Sequence, residues 1–189
     1  MEMKRLLIVL LFISCVTPVT AQRWTLWYGI NYSGEMKSVE PLYQWRFANA
    51  GVDYAIPVSR WDITLGAGLN TKGGYTRVNY GQLEGNAGYR IIDHPGNIQV
   101  SAWAGPYFGL RIADNLGEVP DDLKTKPTMT GWQAGLLMIF RCIALKVGYE
   151  QALTGYWDKD VLNTRPAMGY YVMTTSKPHS LFIRLGYTF

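Results

Sequence analysis

The feature that most constrains this chain is an alternation of apolar and polar side chains that recurs from Gln22 to the last residue. In the longest example, 98–112, one set of alternate positions is apolar, whereas the other set includes Gln99, Ser101 and Arg111. Successive side chains of a β-strand point to opposite faces, so a period of two indicates strands, and no convincing 3.6-residue stripe of a helix occurs. The alternation therefore predicts an all-β fold.

Eight such segments are predicted, and an even number is expected of a bacterial outer-membrane barrel. The connections between them alternate in length, from tight turns to longer segments such as 113–127 and 154–179. Short periplasmic turns and longer extracellular loops are the usual organisation of these barrels. The predicted strands are 23–33, 42–56, 60–71, 77–91, 97–112, 128–140, 142–153 and 180–189.

The two faces of these strands differ in a way that favours a membrane barrel over a soluble one. One face is almost purely apolar, whereas the other carries charged, amide, hydroxyl and glycine residues. A soluble lipocalin-like or streptavidin-like barrel, the competing fold, also uses eight up-and-down strands, but its larger apolar residues point inward. A barrel in lipid is apolar outside and polar inside. We therefore predict an eight-stranded antiparallel up-and-down transmembrane β-barrel, with these residues pointing inward: Asp62, Glu84, Asn86, Arg90, Gln99, Arg111, Gln133, Lys146, Glu150 and Arg184.

Aromatic residues make up 14% of the chain, and several lie near strand ends on the apolar face. Amphipathic rings at these positions are typical of the lipid headgroup level of a membrane. The aromatic residues predicted to lie there are Trp24, Trp61, Trp132, Tyr187 and Phe189.

Two segments break the alternation. In 42–56 the aromatic residues before Ala48 are out of phase with the apolar residues that follow, and in 77–91 Val78 and Tyr80 are out of phase with the later apolar positions. One extra residue in a strand would restore the phase in each case. The sequence therefore predicts a one-residue bulge near 48–51 and another near Gly81.

The first 21 residues have the pattern of a signal peptide. Lys4 and Arg5 precede an apolar run at 6–13, and Val19-Thr20-Ala21 forms a small-residue cleavage site. The run is well short of the ~20 residues that a transmembrane helix requires. We therefore expect a secreted precursor whose mature part, 22–189, is one outer-membrane barrel domain.

The charge and the cysteine content of the mature part argue against nucleic-acid binding and against an internal disulfide. It holds 16 basic and 13 acidic residues, a net charge of +3, and no basic run that would indicate a nucleic-acid partner. Cys142 is its single thiol, which excludes an internal disulfide. Cys15 follows a small residue at the end of the apolar run, so lipidation of Cys15 in place of its removal is an open alternative.

The last nine residues look like the C-terminal assembly signal of outer-membrane barrels. That signal ends in an aromatic residue with apolar residues at alternate positions before it, and Leu185, Tyr187 and Phe189 have this arrangement. The resemblance implies recognition by the barrel-assembly machinery during insertion, with outer-membrane lipid as the surrounding partner.

Short motifs extend this similarity along the chain. Gly29-Ile30-Asn31-Tyr32-Ser33-Gly34 looks like an opening strand, Leu83-Glu84 like part of a central strand, and Ala104-Gly105-Pro106-Tyr107 like a fifth strand. With the terminal motif, they make the mature chain resemble the porin-like outer-membrane β-barrel domain family common in Bacteroidota. The resemblance implies the fold and the outer-membrane location, and most members lack an assigned activity.

Three charged positions suggest an internal network. Lys146 and Glu150 point inward from one strand, and Arg184 points inward from its hairpin neighbour. Buried charges must be paired, and an eight-stranded barrel is only wide enough for side chains to fill it. We therefore predict a structural ion-pair network and a plugged lumen, with a narrow porin-like channel as the alternative.

Catalysis and metal binding have weak candidates. His179 and Ser180 are adjacent, with Asp158 and Asp160 in the same long connection, which makes an outer-membrane lipid hydrolase a further alternative. Nucleophilic catalysis requires a base within hydrogen-bond reach of the hydroxyl and a third group that orients it, and adjacency supplies neither. His94 has no second ligand at metal-binding spacing. We expect no enzyme activity, no metal and no cofactor.

The longest predicted loop, 154–179, is the principal candidate for binding an unknown extracellular ligand or protein. Its aromatic residues are of the types that anchor interfaces. Its apolar part, 169–173, could equally extend the strands above the membrane. The candidate binding residues are Tyr156, Trp157, Tyr170 and Tyr171.

Overall fold

A computed structural model describes residues 22–35, 44–72, 77–94, 98–115, 126–155 and 177–189. Eight strands, each antiparallel to its neighbours, form a closed barrel in chain order, in which β8 pairs with β1. This confirms the predicted fold, and every strand end lies within three residues of its predicted position. The strands are β1 (Arg23–Glu35), β2 (Gln44–Val58), β3 (Trp61–Lys72), β4 (Arg77–His94), β5 (Ile98–Asn115), β6 (Thr128–Phe140), β7 (Ile143–Ala152) and β8 (Pro178–Thr188).

The apolar face of the strands points outward and the polar face points inward, as predicted. Outward residues such as Leu136 and Leu185 are 54% and 60% exposed, whereas Gln133 and Lys146, which point inward, are almost fully buried. Apolar side chains thus form the exposed outer wall of the barrel, and charged side chains such as Lys146 and Glu150 are buried inside it. The interior also holds a small apolar cluster of Trp27, Ile139 and Ala144.

The two ends of the barrel differ. At one end β2 is joined to β3, and β6 to β7, by two residues each; we call this the short-turn end. The start of β1 and the end of β8 lie there too, and the backbones of Trp24 and Phe189 exchange two hydrogen bonds of 3.1 and 3.0 Å. The opposite end carries the longer connections and is called the long-connection end.

The bulge predicted in β2 is confirmed. One residue separates Gly29 from Asn31 in β1, whereas two residues separate their partners Asn49 and Arg46 in β2. The extra residue reverses the faces of β2 at this point. As a result Trp45 is exposed on the outside although it is out of phase with the rest of the strand.

The bulge predicted near Gly81 is wrong. The extra residue at this point of the β4–β5 pair is Ile112 in β5, so the side chains of β4 continue to alternate between the two faces without interruption. Val78 and Tyr80 therefore point into the barrel, where they are 0% and 1% exposed. The ring of Tyr80 lies against Gly109 of β5, where the absence of a side chain leaves space for it inside the barrel.

Arg111 also departs from the prediction, because it is exposed although an inward position was expected. It immediately precedes the bulged Ile112, near the long-connection end of β5. Its backbone N–H donates to the carbonyl of Pro127 over 2.8 Å, which continues the pairing with the segment before β6.

Inward aromatic rings lie on glycines of the adjacent strand. A methyl group at Gly148 would lie 2.6 Å from Cζ of Phe182, and one at Gly131 would lie 2.5 Å from Cζ of Tyr107. Since a glycine has no side chain, the ring of the neighbouring strand occupies that space. The described residues include no helix that is long and apolar enough to cross a membrane.

Candidate functional site

The centre of the barrel holds six charged side chains from five strands, which we call the interior hexad. Every member is at most 9% exposed, and three carboxylates face three cations. Because burial of an unpaired charge costs several kcal/mol, the equal numbers of both signs are a condition for this arrangement. The members are Asp53, Glu84 and Glu150, with Lys72, Lys146 and Arg184.

The hexad forms one continuous chain of alternating charge. Lys146 Nζ lies 2.9 Å from Asp53 Oδ2 and 3.3 Å from Glu84 Oε2. Arg184 then bridges two carboxylates, with Nη1 2.7 Å from Glu84 Oε1 and Nη2 3.1 Å from Glu150 Oε1. The chain ends where the ammonium group of Lys72 lies 2.6 Å from Glu150 Oε2. Each of the four residues between Asp53 and Lys72 in this chain of charges thus contacts an opposite charge on two sides.

Neutral amides complete the coordination of the carboxylates. Gln133 Nε2 donates to Glu84 Oε2 over 2.9 Å, and Gln82 Nε2 donates to Glu84 over 3.2 Å and to Glu150 over 3.3 Å. Asn70 Nδ2 lies 3.3 Å from both oxygens of Glu150. Buried carboxylates require several donors, and these amides supply donors without adding charge.

Aromatic rings flank the three cations. Lys146 Nζ lies 4.6 Å from the centroid of Trp103, and Lys72 Nζ lies 3.8 Å from that of Tyr107. The guanidinium carbon of Arg184 lies 4.3 Å from the centroid of Phe182. The electron-rich face of a ring attracts a cation, so these rings fill space and also stabilise charge.

A second charged group, which we call the rim cluster, lies at the short-turn end. Arg90 binds Asp62 through two hydrogen bonds of 3.0 and 2.6 Å, and Arg23 lies 3.2 Å from the same carboxylate. Gln99 donates to Asp62 over 2.9 Å and accepts a hydrogen bond from Arg23. Arg90 also reaches Asp93 over 3.1 Å. The two acids and two bases again carry no net charge.

The structure places Lys146, Glu150 and Arg184, which the sequence singled out, within the interior hexad. Arg184 contacts Glu150 directly, whereas Lys146 is joined to them through Glu84, and sequence reasoning gave that residue no such role. Asp53 was also missed, although its position between the outward Val52 and Tyr54 is a usable signal. Lys72 was assigned to a loop because β3 is one residue longer than predicted.

The other candidate residues lie away from the interior. Leu185, Tyr187 and Phe189 point outward near the short-turn end and are 60%, 57% and 64% exposed. His94 is exposed next to Asp93, and no group of three or more metal-ligating side chains occurs in the described parts of the chain. The following candidates lie outside the described residues: the signal peptide, Cys15, Tyr156, Trp157, Asp158, Asp160, Tyr170 and Tyr171.

His179 and Ser180 do not form a nucleophile and base pair with each other. They are consecutive in β8, and consecutive strand residues point to opposite faces. Ser180 Oγ donates to Glu150 Oε2 over 3.4 Å inside the barrel, whereas the His179 ring lies 6.2 Å from that of Tyr149. Because they are adjacent in a strand, the His179 ring and the Ser180 hydroxyl lie on different sides of the barrel wall, which argues against the hydrolase alternative.

Comparison with known proteins places this geometry among outer-membrane barrels. Neisserial surface protein A has a TM-score of 0.50 at 11% identity, covering 88% of this chain and 97% of its own. The outer membrane protein OprG of Pseudomonas aeruginosa has a TM-score of 0.50 at 10% identity, covering 89% of this chain and 95% of its own. The chain has the fold of the small outer-membrane β-barrels. At these identities the likeness shows the fold alone.

A third similar structure is Ail, the attachment invasion locus protein of Yersinia pestis. Its TM-score is 0.45 at 11% identity, covering 90% of this chain and all of its own. No family model matches the sequence, and no curated protein matches it. The resemblance to the porin-like family of Bacteroidota is therefore not supported, whereas the class of small eight-stranded barrels is.

Proposed function

We propose that this protein is a small outer-membrane barrel, closed to diffusion, that holds its extracellular loops at the cell surface. The observation that carries the proposal is the combination of a charge-balanced, side-chain-filled interior with an apolar outer wall. An apolar outside and a polar inside suit a barrel surrounded by lipid. An interior in which the charges are paired with one another suits a structural role for them.

Two belts of aromatic residues support the membrane location. In β1 the outward face runs from Trp24 to Tyr32, and in β6 it runs from Trp132 to Phe140, with apolar residues between. Eight residues at about 3.3 Å each, tilted by about 40°, span about 20 Å, close to the ~25 Å apolar band of such barrels. Cross-strand ring pairs lie at both belts, with centroids 4.7 Å apart for Trp24 and Tyr54 and 4.8 Å apart for Tyr32 and Trp45.

The packing of the interior supports a closed lumen. Trp27, Trp103, Tyr107 and Phe182 all point inward and are at most 6% exposed. A cavity beside Trp27, bordered by β2 and β3, has a volume of about 10 Å³. That volume holds about one water molecule, which supports a closed lumen at this height of the barrel. The narrow-channel alternative requires the hexad to move.

The purified barrel is expected to give no steady conductance in planar bilayers. The reason is that the interior hexad and the rings beside it fill the cross-section of an eight-stranded barrel. Bilayer recordings of the folded wild-type protein and of Lys146→Ala and Glu150→Ala measure this. A steady wild-type current that either substitution alters would contradict the closed lumen.

The loops are the proposed place of any further activity, such as binding an extracellular ligand or protein. A barrel with a closed interior offers its partners only its outer wall and its ends. We propose no enzyme activity. A partner that is lost when the connection between β7 and β8 is shortened within 156–176, with the barrel still folded, would support the binding role.

We also propose that the side chain of Phe189 assists recognition by the barrel-assembly machinery. Phe189→Ala is expected to lower the amount of protein in the outer membrane several-fold, while the backbone hydrogen bonds to Trp24 can persist. Membrane fractionation with the shift between unboiled and boiled gel mobility measures this. Phe140→Ala is the matched control, since Phe140 is also an exposed outward aromatic residue at the short-turn end, 50% exposed.

Wild-type protein in the outer-membrane fraction is the expected reference. Recovery of the wild type from the soluble periplasm would contradict the membrane proposal as a whole. Equal outer-membrane levels of Phe189→Ala and wild type would instead contradict only the recognition role and leave the location standing.

A further inference from the structure

At the short-turn end, Arg60 lies beside two outward aromatic rings. The rings of Trp61 and Tyr89 pack edge to face with centroids 5.2 Å apart, and they are 50% and 38% exposed. Arg60 hydrogen-bonds to Tyr89, which raises the pKa of its guanidinium further. The backbone carbonyl of Arg60 accepts a hydrogen bond of 2.8 Å from the backbone N–H of Arg90, which joins the turn to β4. The result is an exposed cation directly next to the aromatic belt.

The turn between β6 and β7 repeats this arrangement. The guanidinium carbon of Arg141 lies 5.6 Å from the centroid of Phe140, and Phe140 is 50% exposed on the outer wall. Arg141 has a φ of 55°, a backbone conformation that non-glycine residues seldom adopt, and this conformation sets the direction of its Cα–Cβ bond in the tight turn. Two turns of the barrel thus place a guanidinium group beside aromatic rings of the same belt.

The charges nearby distinguish these two arginines from the others at this end. Arg23 and Arg90 are held by Asp62, and Arg90 also holds Asp93. Arg60 and Arg141 are both exposed. The rim cluster is therefore neutral inside the barrel, whereas the outer edge of this end carries positive charge.

We propose that Arg60 with Trp61 and Tyr89, and Arg141 with Phe140, bind the phosphate groups of glycerophospholipids in the periplasmic leaflet. The inference rests on the proposed membrane location, in which the short-turn end is periplasmic. A guanidinium group can bind phosphate through two parallel hydrogen bonds. The rings beneath it lie at the level of the glycerol and the first acyl carbons, where amphipathic rings are favoured. This contact with acyl chains selects a lipid over free phosphate.

Native mass spectrometry of the folded barrel in detergent, with dilauroyl phosphatidylglycerol added, tests the proposal. At a lipid concentration at which the wild type carries mainly two lipids, Arg60→Gln and Arg141→Gln are each expected to carry mainly one, and the double variant is expected to carry the fewest. One cation near a lipid phosphate contributes about 1 kcal/mol, so each loss corresponds to about fivefold weaker binding. Arg60→Lys should fall between wild type and Arg60→Gln, since an ammonium group cannot form the paired hydrogen bonds.

Controls separate this inference from the proposed function. Arg111→Gln removes an exposed arginine near the opposite end and should retain lipid like the wild type. A heat-dependent gel shift shows that each variant is a folded barrel, and failure of the wild type to fold in detergent or vesicles would count against the membrane proposal itself. Equal lipid retention by the wild type and the double variant overturns the lipid site. Displacement of the lipid by millimolar inorganic phosphate would also overturn it, in favour of a site for free anions.

Discussion

Glu84→Gln is expected to lower the free energy of unfolding of the barrel by about 3–5 kcal/mol, the cost of leaving buried charges without their partner. Glu84 contacts both Lys146 and Arg184, so its loss leaves the hexad with three cations and two carboxylates. Glutamine has nearly the same shape, so the effect reports charge more than volume. Unfolding by urea in detergent micelles, followed by tryptophan fluorescence, measures it.

A second substitution sharpens this test. Glu84→Gln with Arg184→Met leaves two complete pairs, Lys146 with Asp53 and Lys72 with Glu150. The double variant should therefore be more stable than Glu84→Gln alone. Asp93→Asn is the control for an exposed ion pair, since the side chain of Asp93 is 43% exposed, and it should change stability by less than about 1 kcal/mol. A Glu84→Gln barrel as stable as Asp93→Asn would show that the hexad does not act as a balanced charge network.

Gly148→Ala is expected to destabilise the barrel by about 1–3 kcal/mol or more, because the new methyl group has no space. It would lie 2.6 Å from Cζ of Phe182, 2.9 Å from Cζ2 of Trp103 and 2.9 Å from the carbonyl oxygen of Ala134. The rings must move, and they flank the cations of the hexad. The temperature at which the folded band disappears from an unboiled gel measures the loss.

Gly85→Ala is the matched control, because a methyl group at Gly85 meets no atom within 4 Å. It should melt within a few degrees of the wild type. Adding Phe182→Leu to Gly148→Ala removes the outer part of the ring and should recover part of the lost stability. An unchanged melting temperature for Gly148→Ala would mean that the ring and glycine contacts do not limit the packing of the interior.

The sequence by itself was sufficient to predict the wall of the barrel. A period of two depends on local backbone geometry, so the number of strands, their faces and the bulge in β2 follow from neighbouring residues. The same reasoning failed at Val78 and Tyr80, which point inward. Their apolar character suggested the outer face, but whether an aromatic ring fits inside depends on a glycine in another strand, such as Gly109 beside Tyr80.

Which charged side chains pair in the interior was decided by the tertiary structure. Sequence patterns identified Lys146, Glu150 and Arg184 as inward charges, but Lys146 lies 93 residues from Asp53 and 62 from Glu84, and Arg184 lies 100 from Glu84. Alternation tells which face of a strand a side chain occupies, and it does not tell which strand lies across the lumen. Closure of the sheet between β8 and β1 brings the facing strands together at one height, and only then does each buried charge acquire the partner that makes its burial possible.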